Sequence, residues 1–261
     1  MRITINRYLR YKFPGYTGFL MFSYHKAASM ADVCSLSSGT LLWVKGQENG
    51  SIMKIVAALT DPAKAALAER QGADLVELRV DLYEGDLLQL VSDAKAATSL
   101  PVILTLRSAQ EGGRFFGTPE EWMKKVEPLL PFADYVDIEQ PFARAAPVVR
   151  DAGKKIIASH HTGRMVPLYI LFVMERELRA YGDIPKIVVT PEKEEDIIEL
   201  LTFTQAANKP ICTGVMGGQF RHARAMLPLV GSEFVYCHMG DTTAEGQYSV
   251  EEFVQLRKIL G

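Results

Sequence analysis

From residue 53 onward, short β-branched runs alternate with longer amphipathic stretches. The runs are KIVAAL (54–59), DLVELRVD (74–81), PVILTLR (101–107), YVDIE (135–139), KKIIASHH (154–161), PKIVVT (185–190), PICTGVMG (210–217) and EFVYCHMG (233–240). Helix signals stand between them. Asp61-Pro62 reads as an N-cap with proline at the first helical position, and Gly72 as a stop. Thr118-Pro119-Glu120-Glu121 is a capping box. Residues 167–182 and 192–208 carry apolar side chains at helical spacing. Strand–helix alternation implies a parallel sheet, and eight such units predict a closed (β/α)8 TIM barrel over residues 53–261. An open doubly wound sheet is the alternative. It needs a glycine-rich phosphate loop after the first strand, where ALTDPAKAAL stands instead.

Residues 1–52 keep no sustained period. They carry Arg2, Arg7, Arg10, Lys12, Lys26 and Lys45 against Asp32 and Glu48, and are rich in Ser, Gly and Tyr. They read as an irregular, poorly ordered N-terminal extension, or as a stretch upstream of a start at Met53. A secretory signal fits less well, because the apolar core GFLMF is shorter than the usual ~7–15 residues. Composition adds little beyond class. Hydrophobic residues at 48% and charged residues at 23% fit a globular protein with a large core. A net charge of −2 gives no pull towards nucleic acid or an anionic membrane. No apolar run approaches the ~20 residues that cross a bilayer. Cys34, Cys212 and Cys237 are spaced for neither a disulfide framework nor a metal site, which points to a reducing, cytoplasmic setting.

Strand parity sorts the polar residues. Glu77, Arg79 and Asp81 share one face of their strand, Thr105 and Arg107 another, Asp137 and Glu139 a third, and Ser159 with His161 a fourth. His160 takes the opposite side. The outer face of a barrel strand must be apolar to meet helices, so these groups face the lumen. Each has a plain structural reading: Glu-x-Arg-x-Asp as a self-neutralising layer, a strand-end histidine as a satisfied packing group, Asp137 and Glu139 as partners of basic groups. Five of the eight strands nevertheless place polar groups near their carboxyl ends, where barrel active sites form.

Lys186 heads the apolar run of the sixth strand. One reading is a lysine snorkelling at the strand entrance. The other is a desolvated amine that loses its proton and attacks a carbonyl to form a Schiff base. His161 on the neighbouring strand is then the natural proton carrier, provided that barrel shear brings the two level.

The motifs ELRVD (77–81), TLRSAQEGGRF (105–115), DIE (137–139), SHH (159–161), IPKIVVTP (184–191) and EGQYS (245–249) resemble, in order and spacing, those of type I 3-dehydroquinate dehydratases. The resemblance implies a (β/α)8 barrel that dehydrates 3-dehydroquinate to 3-dehydroshikimate in the shikimate pathway, without metal or cofactor. By matching position, Lys186 would form the Schiff base, His161 would move the protons and Glu111 would orient His161. Glu77, Arg79, Arg107, Arg224, Thr243 and Gln247 would bind substrate. Departures fall in GGQFRHAR (217–224), with Phe220 for a glycine and Ala223 for a serine, and at Gly163, Glu245 and Ala58. Arg221 competes with Arg224 for the carboxylate-binding role, and spacing favours Arg224.

QEGGRFFGTPEEW (110–122) reads either as a mobile flap that brings Glu111 to His161 on closure, or as a turn made by Gly112 and Gly113. A class I aldolase using the same amine chemistry is the alternative activity, and a silent binding barrel a third reading. The partner expected is a small-molecule substrate, not nucleic acid or a membrane. A homodimer is compatible with this, although no residue pattern specifies it.

Overall fold

In the computed structural model, which describes residues 53–260, every strand read from the apolar runs forms, and each boundary falls within two residues of the run. The strands are β1 (Lys54–Leu59), β2 (Leu75–Arg79), β3 (Val102–Thr105), β4 (Tyr135–Glu139), β5 (Lys155–Thr162), β6 (Ile184–Val189), β7 (Cys212–Val215) and β8 (Phe234–His238). The helices among the described residues are α1 (Ala65–Arg70), α2 (Leu87–Ala96), α3 (Pro119–Val126), α4 (Ala146–Asp151), α5 (Leu168–Arg179), α6 (Glu194–Ala206), α7 (Ala223–Met226) and α8 (Val250–Leu260). None of them is long and apolar enough to cross a membrane. The extension expected at 1–52 lies outside the described residues.

All neighbouring strands pair in parallel, in the order β7-β6-β5-β4-β3-β2-β1-β8. The ring therefore closes between β1 and β8, and the open-sheet alternative falls. A narrow seam remains between β7 and β8, which share no ladder. A side-chain bond and a backbone bond span it instead. The Ser232 hydroxyl accepts from the Thr213 N–H at 2.9 Å, and the Glu233 N–H donates to the Ile211 carbonyl at 2.7 Å. These bonds satisfy backbone groups that a buried strand edge cannot leave bare.

The inward face of the strands is divided by height. Its lower layer is apolar: Val56, Leu75, Ile103, Ile157, Ile184, Cys212 and Phe234 pack together as one cluster. Two residues further along the same strands stand Glu77, Thr105, Ser159, Lys186 and Tyr236. Side-chain period two makes this layering automatic, so the polar groups rest on a dry floor. Glu77 and Arg79 of β2 therefore lie above the barrel floor, not in it.

Helix α3 fixes the loop above β3. Thr118 and Glu121 cap it reciprocally, as the capping box predicts. Its Trp122 is fully buried, stacks on Phe142 at 5.3 Å, and donates its indole N–H to the Leu106 carbonyl at 3.1 Å. Burying a ring of this size is worth about 3–5 kcal/mol against truncation to alanine. That contact pins the backbone immediately before Arg107.

Candidate active site

Lys186 is buried on β6, not snorkelling at its entrance. It pairs in register with Ser159, two residues below His161. The offset is about 6.6 Å along the strand, a length that the lysine's four-carbon stem can span. Its Nζ lies 3.0 Å from Asp137 Oδ2 and 3.9 Å from Glu77 Oε1, with the Tyr236 ring centroid 3.9 Å away. The surroundings are thus not the apolar pocket expected from the IVV run. Two buried carboxylates and an aromatic face meet the amine.

Arg107 organises the layer above. Its guanidinium reaches Asp137 at 3.0 Å, Glu139 and the Ser159 hydroxyl at 2.9 Å each, and Glu111 at 3.3 Å. Burial opposes its charge, but the carboxylates around it outweigh burial and push its pKa up. Burial likewise works to raise the Asp137 carboxyl, yet Arg107, Lys186 and the Ser159 hydroxyl hold it at about 2. Asp137 therefore stays ionised and carries two cations. Asp137 and Glu139 are partners of basic groups, as read from DIE. Arg107, assigned above to substrate binding, is mostly occupied by protein acceptors in this conformation.

Glu111 closes a single 3-10 turn (Ala109–Glu111) after β3. Gly112 follows in the left-handed region at φ 83°, and a Cβ on Gly113 would lie 2.2 Å from the Arg107 carbonyl. Both glycines are required by the turn itself. Glu111 Oε2 already sits 2.7 Å from His161 Nδ1 and accepts the His161 backbone N–H at 3.1 Å. No closure is needed to bring them together. In this conformation Gly112 and Gly113 make a tight turn, with Glu111 already at His161. His160, on the opposite parity, still comes within 3.6 Å of the other Glu111 oxygen.

Burial shifts both Glu111 and His161, in opposite senses. Burial pushes the Glu111 carboxyl up to about 8, with Arg107 opposing and Glu139 and Asp137 adding. Burial, then the nearby Arg107 and Lys186 cations, holds His161 well below its ordinary value. With Glu111 ionised, a neutral His161 donates its Nδ1 proton across 2.7 Å. With that proton on Nδ1, the other ring nitrogen is free to accept one.

These residues line one cavity of about 150 Å³, with Glu77, Arg79, Arg107, Arg224, Thr243 and Gln247 also on its wall. Glu77 accepts from the Thr105 hydroxyl at 2.8 Å, and Arg79 forms a fork with Asp81 at 2.8 and 2.7 Å. Gln247 and Thr243 latch together: Gln247 Nε2 donates to the Thr243 hydroxyl and Gln247 Oε1 accepts the Thr243 N–H, both at 2.9 Å. Arg224 differs from the other arginines on this wall. It has no carboxylate partner among the described residues, donates to the Glu245 carbonyl at 3.0 Å, and leaves its buried Nε without an acceptor. Burial lowers it to about 10. Its rival Arg221 is tied to Glu252 at 2.7 Å and stacks on Tyr248, off the cavity wall. Of the arginines on this wall, Arg224 is the one without an acidic side-chain partner among the described residues. Among the described residues, no group of three His, Cys, Asp or Glu side chains is placed to hold a metal ion.

Residues 55–261 match the family model of type I 3-dehydroquinase. The chain belongs to this family. A 3-dehydroquinate dehydratase of Methanoregula boonei is 64% identical over 208 residues, covering 80% of this chain and 100% of the relative. One from Methanospirillum hungatei is 36% identical over 80% of this chain and 82% of its own length. The crystal structure of the 3-dehydroquinate dehydratase from Aquifex aeolicus superposes with a TM-score of 0.70 at 32% identity, covering 79% of this chain and 98% of that one.

On this type I 3-dehydroquinase barrel the sequence departures are absorbed structurally. Phe220 and Ala223 are buried in the apolar shell around α5 and α6, Ala58 is buried in β1, and a Cβ on Gly163 would meet only open space. Two groups escaped the sequence reading. Ser159 faces the lumen by parity, and its hydroxyl donates to Asp137 while accepting from Arg107. Tyr236 sits inside the apolar run EFVYCHMG (233–240). Its inward parity with Phe234 was the available signal.

Proposed function

We propose that the protein dehydrates 3-dehydroquinate to 3-dehydroshikimate, with Lys186 as the amine that forms a Schiff base and His161 as the acid and base. The observation that carries this reading is the buried Lys186 amine on one cavity wall with the Glu111-held imidazole of His161. The Lys186 nitrogen, once neutral, adds to the substrate ketone, and the carbinolamine loses water to give an iminium. His161 takes a proton from the adjacent carbon, leaving an enamine. The enamine expels the hydroxyl one carbon further on, and His161 returns the proton, so that this group leaves as water. Hydrolysis of the iminium returns the water lost first and frees Lys186. The net change is one substrate to one enone plus one water.

Positioning falls to the rim. Arg224 is the receptor for the substrate carboxylate, a fork-to-fork contact suited to guanidinium. Glu77, Arg79, Thr243 and Gln247 meet the hydroxyls, and Arg107 holds the carboxylates that frame the reacting groups. The reading includes a cytoplasmic setting. An assay for enone absorbance from 3-dehydroquinate tests it. A rise supports the dehydratase, whereas no rise together with cleavage of a sugar phosphate supports the aldolase.

Arg224→Ala should raise KM by about tenfold to a hundredfold, the worth of about 1.5–3 kcal/mol for a hydrogen bond to a charged group. It should change kcat less, because the carboxylate is bound in ground and transition states alike. Steady-state kinetics checks the split, and an unchanged KM would remove Arg224 from the binding role.

The pH profile follows from the signs of the His161 and Glu111 shifts. Protonation disables the base, and burial with nearby cations makes that protonation harder. Glu111, pushed up to about 8, must also be ionised to hold the Nδ1 proton and leave the other nitrogen free. The value of kcat/KM should therefore fall as pH drops through about 8, before the imidazole itself is charged. A kcat/KM that holds its full value well below pH 8 would contradict this assignment.

A further inference from the structure

Tyr236, on β8, turns the face of its ring to Lys186, with Nζ 3.9 Å from the ring centroid. This is well inside the ~6 Å within which a cation is attracted to an aromatic face. The ring borders the cavity, while its hydroxyl is buried with no hydrogen-bond partner among the described residues. A buried tyrosine kept for its hydroxyl normally gives that hydroxyl a partner. Burial also pushes the phenol well above its ordinary range, so no phenolate is on hand to pair with the lysine. What the site has of Tyr236 is the ring face.

The consequence appears when the amine reacts. An ammonium carries three N–H bonds, but an iminium on a substrate carbon keeps one. Asp137, at 3.0 Å, can take that one, and Glu77, at 3.9 Å, then faces a nitrogen with no hydrogen to offer. Attraction to a ring face needs no N–H and persists as long as the charge does. We propose that the Tyr236 ring holds the positive charge on the Lys186 nitrogen, in the ammonium and again in the iminium. The imine is thereby kept protonated while the neighbouring C–H bond breaks. This deepens the Schiff-base reading above and rests on it. A protonated iminium draws electrons strongly and a neutral imine weakly, so the ring acts on the step that His161 carries out.

The other charged or titratable groups around this nitrogen are Glu77 of β2, Arg107 beyond β3, Asp137 of β4, His161 of β5 and Cys212 of β7. All stay in place when only the ring is altered. The test is a graded series at one position: Tyr236→Phe, then 4-fluoro- and pentafluorophenylalanine, which keep the ring's outline while draining its face of negative charge. Each protein is treated with 3-dehydroquinate and cyanoborohydride, which reduces the protonated iminium and not the neutral imine. The readout is the pH at which trapping falls to half its maximum. That midpoint should move down stepwise, by about one pH unit (about tenfold) between the phenylalanine and pentafluorophenylalanine proteins. A ring serving only as packing would leave it in place. Equal midpoints in proteins with equal melting temperatures overturn the inference and leave the Schiff base standing. If the unaltered protein gives no adduct at Lys186 at all, the Schiff-base reading itself falls and takes the inference with it.

Discussion

Lys186→Ala should abolish dehydration of 3-dehydroquinate, with a loss on the order of 10⁶-fold, the scale seen when a covalent nucleophile is removed. No other described lysine lies on the cavity wall to replace it. The barrel should survive the change. Asp137 loses one of its two cations but keeps Arg107 at 3.0 Å and the Ser159 hydroxyl, so its charge is not left bare. Breaking a buried pair costs about 3–5 kcal/mol when a charge is stranded, and less here because a second cation remains. A lower melting temperature with an unchanged far-ultraviolet circular dichroism spectrum, and no turnover, is the expected result. Retained activity would exclude the amine from the chemistry.

His161→Ala should slow turnover by about 10²–10⁴-fold, the usual worth of a positioned acid–base group. Its signature differs from that of the lysine variant. The amine still meets the ketone, so borohydride should still trap an adduct on Lys186 while product formation stalls. The substitution also frees Glu111 from its 2.7 Å partner, leaving a buried carboxyl beside Arg107. His160→Ala is the control. His160 lies 3.6 Å from Glu111 and is half-exposed, so its loss should cost much less than that of His161. If the two variants exchange roles, the inward parity assigned to β5 is wrong.

Much of the fold was legible because a barrel strand covered on both faces must be apolar outward. Any polar residue at fixed parity then has nowhere to point but the lumen. Glu77, Thr105, Asp137, Ser159 and His161 were placed in this way, and all five lie there. Helix ends were legible where capping chemistry is local, as at Thr118 and Asp61. What the sequence hid depended on contacts between distant strands. The run after Lys186 advertised an apolar environment, whereas the carboxylates that meet the amine come from β2 and β4, 109 and 49 residues away. The resting contact between Glu111 and His161 was hidden similarly, because two glycines look alike in a flap and in a tight turn. The close approach of Gly113 to the Arg107 carbonyl, which shows why a glycine stands there, is visible only in the fold. Tyr236 escaped because an aromatic side chain in an apolar strand looks like core until its neighbour proves to be a cation.

The assignment of Lys186 as the imine-forming residue is tested most directly by borohydride reduction of the protein in the presence of 3-dehydroquinate, followed by peptide mass mapping. The added mass should fall on the peptide containing Lys186 and on that residue within it. A reduced adduct on any other lysine, or none while dehydration proceeds, would contradict it.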